Sequence, residues 1–398
     1  MSGRRDESPG NYQTRIYLGG AKGERPSLPV RLEALEQLAR QRLSPEAYWY
    51  VAGGAGEGTM AANLAAFDDY RLVPRMLTDV SRRDLGRSLL GRRLSVPFLL
   101  APVGVQEIVH PEAEVAVARG AKAAGVPMIL STVASRSLEE VAAALGDAPR
   151  WFQLYWPNDD ALAASLMQRA EAAGYEAIVV TLDTKMMAWR ERDLDNAYLP
   201  FLSAKGLANY TSDPVFRAAL DVPPEADPRA TVRHWSNVFA APGRTWADLE
   251  RLRRSTRLPI LLKGVLHPDD ARRAVEAGAE GVVVSNHGGR QVDGSIAALH
   301  ALGPVAEAVS GRIAVLFDSG VRSGADVLKA IALGADAVLL GRPYVWGLAC
   351  EGADGVTEVA LRLLADIDLS LALTGADALD RLDRTWLAPR FVNSALQN

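Results

Sequence analysis

From Pro97 onward the chain repeats one pattern: a short unbroken apolar run, a polar break, then an apolar stripe at helical spacing that ends in glycine. The runs fall at 97–103, 127–132, 151–155, 177–183, 259–263, 281–286, 313–318 and 337–341. Runs this short, apolar on both faces, predict parallel strands covered on both sides. The stripes predict helices over 112–124, 137–145, 159–173, 268–277, 295–310 and 324–333, each followed by the glycine that a left-handed helix end favours. Eight strand-helix units predict an α/β fold of the (β/α)8 barrel type rather than an open sheet.

The flanks depart from that rhythm. Residues 1–28 are polar and rich in Arg, Gly and Pro, and are expected to form an arm that is flexible or draped over the surface. The barrel domain is expected over 29–375. It opens with an amphipathic stripe (Leu32, Leu35, Leu38, Ala39) and a second helix started by Ser44-Pro45-Glu46. That helix runs into Tyr48-Trp49-Tyr50 and the glycines Gly53, Gly54 and Gly56, which let Tyr50 come close to a ligand. Between the fourth and fifth strands, residues 185–246 show little periodicity and many aromatic residues, the character of a lid or binding insertion. Residues 344–375 read as closing helices, and 376–398 as a tail expected to pack on a neighbouring subunit.

Composition narrows the class. The 398 residues carry a formal charge of -4 without long basic runs, which argues against nucleic acid as the main partner. Cys350 is the only cysteine, so no intrachain disulfide forms and a reducing compartment is expected. Residues 1–28 lack an apolar leader, and no run reaches the roughly 20 apolar residues of a membrane span. The expectation is a soluble, cytoplasmic protein with no membrane partner and no metal.

The candidate chemistry collects at the C-terminal ends of the strands, the face where barrels of this class work. Pro102, Val103 and Gly104 follow the first strand, Ser131 the second, Gln153 and Tyr155 the third, Thr181 and Asp183 the fourth. Lys263 ends the fifth, Ser285, His287 and Arg290 the sixth, Asp318, Gly320 and Arg322 the seventh, Gly341 and Arg342 the eighth. A neutral imidazole removes protons, and a guanidinium fork holds a carboxylate through two parallel hydrogen bonds. Asp183 is either the partner that fixes the His287 tautomer or a buried structural carboxylate. The turns after the last two strands expose amides beside Arg322 and Arg342, a phosphate site of the kind barrels place there. Ser131, Gln153, Thr181 and Lys263 can hydrogen-bond the edge of a heteroaromatic ring joined to that phosphate. FMN fits this set better than NAD, because no Gly-x-Gly-x-x-Gly follows a strand. A flavin-free lyase using Lys263 as a Schiff-base amine is the competing chemistry.

With these residues together, the chain resembles the FMN-dependent α-hydroxy acid oxidising family from about Asn11 to Gly375. Ser285-Asn-His-Gly-Gly-Arg-Gln and Leu316-Phe-Asp-Ser-Gly-Val-Arg-Ser-Gly carry the likeness. Within the family it looks most like the lactate 2-monooxygenase branch, through Tyr50-Val-Ala-Gly-Gly, Phe152-Gln-Leu-Tyr, Leu182-Asp-Thr with Trp189-Arg190, the 209–216 loop and Gly341-Arg-Pro-Tyr-Val-Trp-Gly. The resemblance implies oxidation of an L-2-hydroxy acid such as L-lactate by FMN and O2, with decarboxylation if the oxo acid stays bound. Oxidation of a bulkier acid such as mandelate with peroxide release is the alternative. It implies His287 as base with Asp183 behind it, Arg290, Tyr50 and Arg190 on the substrate carboxylate, and Tyr155 on the substrate. Lys263, Ser131, Gln153 and Thr181 would meet the isoalloxazine, with Pro102, Val103, Gly104, Ser285 and Gly320 also around the cofactor. Asp318, Arg322, Gly341 and Arg342 would hold the phosphate. A homotetramer or homo-octamer is implied as well. Val133 stands where glycolate oxidase relatives carry Trp, leaving room for a larger substrate side chain.

Overall fold

A computed structural model describes residues 8–390. Eight parallel strands close into a barrel: β1 Phe98–Leu100, β2 Met128–Ser131, β3 Arg150–Tyr155, β4 Ile178–Thr181, β5 Ile260–Val265, β6 Gly281–Val284, β7 Ala314–Phe317 and β8 Ala337–Leu340. Each strand pairs with its sequence neighbours, and β8 closes the ring onto β1. The expected helices are present between them, from Ala113–Ala124 to Gly324–Ala332.

Side chains alternate across each strand, and that alternation organises the interior. Leu99, Ile129, Trp151, Val179, Leu261, Val283, Leu316 and Leu339 point inward and form a dry barrel core. Leu89 and Leu94, from a hairpin of Arg87–Leu89 with Arg92–Leu94, plug its lower end. The outward residues, such as Val282 and Val284, pack in a second layer under the helices. Moving two residues up from the inner apolar layer reaches Ser131, Gln153, Thr181, Lys263, Ser285, Asp318 and Gly341. The change from apolar to polar at that one level makes the barrel's upper end the reactive one.

The flanking segments are built onto this barrel. The N-terminal arm is partly ordered: Asn11–Gly20 is a helix against the long closing helix Arg342–Thr374. It is clasped there by Asp368, a buried carboxylate that accepts from the Gly10 amide at 2.8 Å and pairs with Arg83 at 2.6 Å. In the tail, Leu387–Pro389 pairs antiparallel with Tyr70–Leu72. Residues 391–398 lie outside the described residues. The 185–246 insertion is not irregular. It holds four short helices and the longer Pro228–Phe239, whose buried Trp235 and Phe239 stack with Phe201 at ring-centroid distances of 4.6 and 6.5 Å. The four short helices cannot show a period in sequence; Pro228–Phe239 does, burying Thr231, Trp235, Val238 and Phe239 along one face. Among the described residues no helix is long and apolar enough to cross a membrane.

Candidate active site

The inward polar residues form two hydrogen-bonded groups. Ser131 Oγ donates to Gln153 Oε1 at 3.0 Å, and Gln153 Nε2 donates to Thr181 Oγ1 at 2.9 Å. Across the barrel, Lys263 Nζ donates to Ser285 Oγ at 2.9 Å and pairs with Asp318 Oδ2 at 3.2 Å. Every one of these side chains is buried, so each must find a partner within the protein. A cavity opens above, lined by Pro102, Val103, Gly104, Tyr155, Lys263, His287, Gly320, Gly341 and the four arginines Arg190, Arg290, Arg322 and Arg342, among others.

On one side of the cavity lies a base. His287 Nδ1 is 2.9 Å from Asp183 Oδ1. Burial raises the Asp183 carboxyl, but His287, Lys263 and Thr184 outweigh it and hold it below its ordinary value. For His287, burial lowers the pKa below 6.5 against the opposing pull of Asp183. The pair is therefore an ionised carboxylate beside a neutral imidazole. An ionised carboxylate only accepts, so the imidazole proton sits on Nδ1 and Nε2 presents its lone pair. Nε2 lies 3.4 Å from the Tyr155 hydroxyl, which burial keeps protonated.

Backbone geometry aims this pair. His287, Gly288 and Gly289 are all left-handed, with φ of 59°, 65° and 76°. A Cβ on Gly289 would lie 2.8 Å from the Met60 amide, so only glycine lets the N-terminal segment dock here. Ser285 Oγ accepts from the His287 amide at 3.0 Å, and Ser319 Oγ accepts from the Gly288 amide at 3.0 Å. A bulge in β5 at Gly264, φ +101°, clears space for Asp183, whose Cβ and Oδ2 would lie 2.8 and 3.0 Å from an added Cβ.

The rest of the cavity is electropositive. Arg290 Nη1 donates to Gly53 O at 2.8 Å and its guanidinium lies 5.4 Å over the Tyr50 ring. Arg342 reaches the same stretch through Val51 O at 3.0 Å and Gly53 O at 2.9 Å. These carbonyls are at or just past the C-terminal end of the helix Pro45–Ala52, the negative pole of its dipole. Burial, and then the charge of Arg190, lowers Arg290 to about 10; burial, and then the charge of Arg290, lowers Arg342 to about 9, so both stay cationic at neutral pH. Like charges gathered in one buried pocket call for anions.

The family model for FMN-dependent dehydrogenases matches residues 39–389. The chain belongs to the FMN-dependent dehydrogenase family. It is 45% identical over 371 residues to an FMN-dependent alpha-hydroxy acid dehydrogenase of Penicillium citrinum, covering 92% of each chain. It is 44% identical over 355 residues to the L-lactate oxidase of Lysinibacillus sphaericus, covering 89% of this chain and 91% of that one. A crystal structure of mandelate oxidase superposes with a TM-score of 0.80 at 42% identity, covering 90% of this chain and 98% of that chain. The protein is an FMN-dependent α-hydroxy acid oxidoreductase.

The donor set of this dehydrogenase suits FMN: Lys263 for a heteroaromatic edge, free space at Gly341, where an added Cβ would meet nothing nearer than 4.0 Å, and Arg322 and Arg342 for a phosphate. Four expected ligands behave differently. Asp318 is the counterion of Lys263; an acceptor-only carboxylate offers a phosphate nothing but repulsion, so it leaves the phosphate set. Ser131, Gln153 and Thr181 are tied to one another and do not line the cavity themselves. Sequence reading also passed over Glu114, fully buried and raised to about 7 by that burial. It accepts from the amides of Gln106 at 3.1 Å and Ser135 at 3.0 Å, clipping the loop after β1 to the loop after β2. A lone Glu in an otherwise small-residue helix face was its only sequence signal.

Proposed function

We propose that this enzyme oxidises an L-2-hydroxy acid with an apolar side chain larger than methyl to its 2-oxo acid, with O2 as the final electron acceptor. The observation that carries the chemistry is the neutral His287 held by Asp183 over a cavity lined with arginines. FMN, when bound, supplies the two-electron acceptor. His287 Nε2 takes the proton of the substrate hydroxyl, and Asp183 stabilises the imidazolium that results. Arg290, Arg190 and Tyr50 hold the carboxylate, which orients the 2-carbon. Tyr155 donates to the substrate oxygen. Lys263 is a buried cation at the cavity floor and would stabilise negative charge on a flavin ring bound there. Arg322, Arg342 and the Gly341 backbone hold the phosphate.

Side-chain size is read from the wall beside Tyr155. Phe239 lies 5.3 Å from the Tyr155 ring, and Phe201, Leu199, Met187 and Val133 complete an apolar lining. Burying a phenyl in place of a methyl contributes about 1.5–3 kcal/mol, so L-mandelate should exceed L-lactate in kcat/KM by about 10- to 100-fold. The solved mandelate oxidase likeness supports the same reading. Steady-state kinetics with both acids, scoring 2-oxo acid and peroxide against decarboxylated acid and CO2, tests it. A preference for L-lactate would refute the side-chain assignment. Decarboxylated product would instead place the enzyme with the lactate 2-monooxygenase outcome, in which the oxo acid is retained while peroxide forms.

A further inference from the structure

Gln291 follows the Ser285–Arg290 turn and precedes an exposed stretch beginning at Val292. A glutamine at such a boundary is ordinarily solvated, yet both ends of this carboxamide are engaged. Its Nε2 donates to the main-chain carbonyl of Asp183 at 2.8 Å, and its Oε1 accepts from Arg190 Nη2 at 2.9 Å. The Asp183 carbonyl lies beyond the end of β4, whose last residue is Thr181, so the sheet does not fix it. Arg190 stands at the start of the lid helix Glu191–Asp195 and also donates through Nε to the Arg290 carbonyl at 3.1 Å. One side chain therefore bridges the lid's guanidinium and the residue that holds the base.

We propose that Gln291 is a positioning residue that sets Arg190 and the Asp183–His287 pair in a single register, coupling the carboxylate anchor on the lid to the aim of the base. This rests on the reading of His287 as base and Arg190 as carboxylate anchor. The amide is suited to the task because it donates at one end and accepts at the other. A carboxylate in its place would keep the acceptor for Arg190 and lose the donor to Asp183. An alkyl side chain would lose both.

The holoenzyme and three variants, Gln291→Leu, Gln291→Glu and Arg190→Met, with the Gln291→Leu/Arg190→Met double variant, are mixed anaerobically with L-mandelate across pH. The dissociation constant and limiting rate of FMN bleaching are measured. Gln291→Leu should weaken substrate binding about 10-fold and slow bleaching about 10-fold, the loss of one hydrogen bond to a charged group and of the carbonyl tether. Gln291→Glu should keep binding within about threefold while slowing bleaching, and its added negative charge should move the acid limb to higher pH. In the Arg190→Met background, Gln291→Leu should add no further loss of binding, because its effect on affinity passes through Arg190. Losses of binding that multiply in the double variant, or a Gln291→Glu enzyme that matches wild type in rate and pH profile, would overturn the proposal. If Gln291→Leu does not fold, the Glu variant decides alone. Wild-type enzyme that fails to bleach with any L-2-hydroxy acid would instead refute the underlying reading of the site.

Discussion

Asp183→Asn removes one charge with almost no change in volume, and its cost follows from the geometry. Asp183 Oδ1 lies 2.9 Å from His287 Nδ1, with both side chains about 15% exposed. At an effective dielectric of about 20, opposite charges about 3 Å apart attract by roughly 5 kcal/mol. Water at the cavity mouth screens part of that, leaving about 3 kcal/mol of stabilisation for the imidazolium as it forms, or about 10²-fold in rate. A second loss comes from the amide nitrogen. If it turns toward Nδ1 it donates there, the proton moves to Nε2, and the lone pair that takes the substrate proton is gone. Together these predict a fall of about 10³- to 10⁴-fold in the anaerobic bleaching rate of bound FMN, measured by stopped flow at saturating L-mandelate. The pH profile gives an independent check. Asp183 raises the His287 pKa, so its neutralisation should move the acid limb of kcat/KM to lower pH. FMN content and melting temperature should stay near wild type. A bleaching rate within threefold of wild type would refute the assignment of Asp183 to the base.

Other predictions follow from the same geometry. In wild-type enzyme, kcat/KM should rise with pH through a midpoint below 6.5, because the deprotonated imidazole is the active form and burial lowers its pKa; a midpoint above 6.5 would contradict this. His287→Ala should retain FMN yet lose bleaching by at least about 10³-fold, and near-normal bleaching would remove His287 from the mechanism. Arg290→Met should chiefly weaken binding of hydroxy acids, by about 10-fold or more, so an unchanged dissociation constant would contradict its role. Gly264→Ala should lower stability by about 1–3 kcal/mol through its left-handed φ and displace Asp183. Thermal melting and bleaching rate together check it, and an alanine variant equal to wild type in both would show that the bulge is not needed.

The barrel was legible because its signal is local. Each strand is an apolar run and each helix ends at glycine, so the order of elements follows from the chain alone. The site residues were legible for a related reason: Lys263, Ser285 and Asp318 stand two residues past an inward apolar side chain, and strand alternation carries them to the mouth. Interactions between distant segments were harder to read. The Asp368 clasp on the N-terminal arm joins residues far apart in sequence. Glu114 looked like an ordinary surface charge in a helix until the loops it clips were seen above it. The phosphate role expected of Asp318 sits badly with its charge, because proximity in a motif does not show which neighbour a carboxylate serves; Lys263, on another strand, is its counterion. In the lid, helices too short to display a period depend on aromatic packing for their stability.

The most direct test is a visible spectrum of the purified protein before and after anaerobic addition of L-mandelate. Bound FMN should give a yellow protein whose absorbance near 450 nm, the range of oxidised flavins, bleaches on mixing and returns with air. A protein that carries no flavin and takes up none, or one whose colour no L-2-hydroxy acid discharges, would contradict the reading of His287 and its cavity as a hydroxy-acid oxidising site.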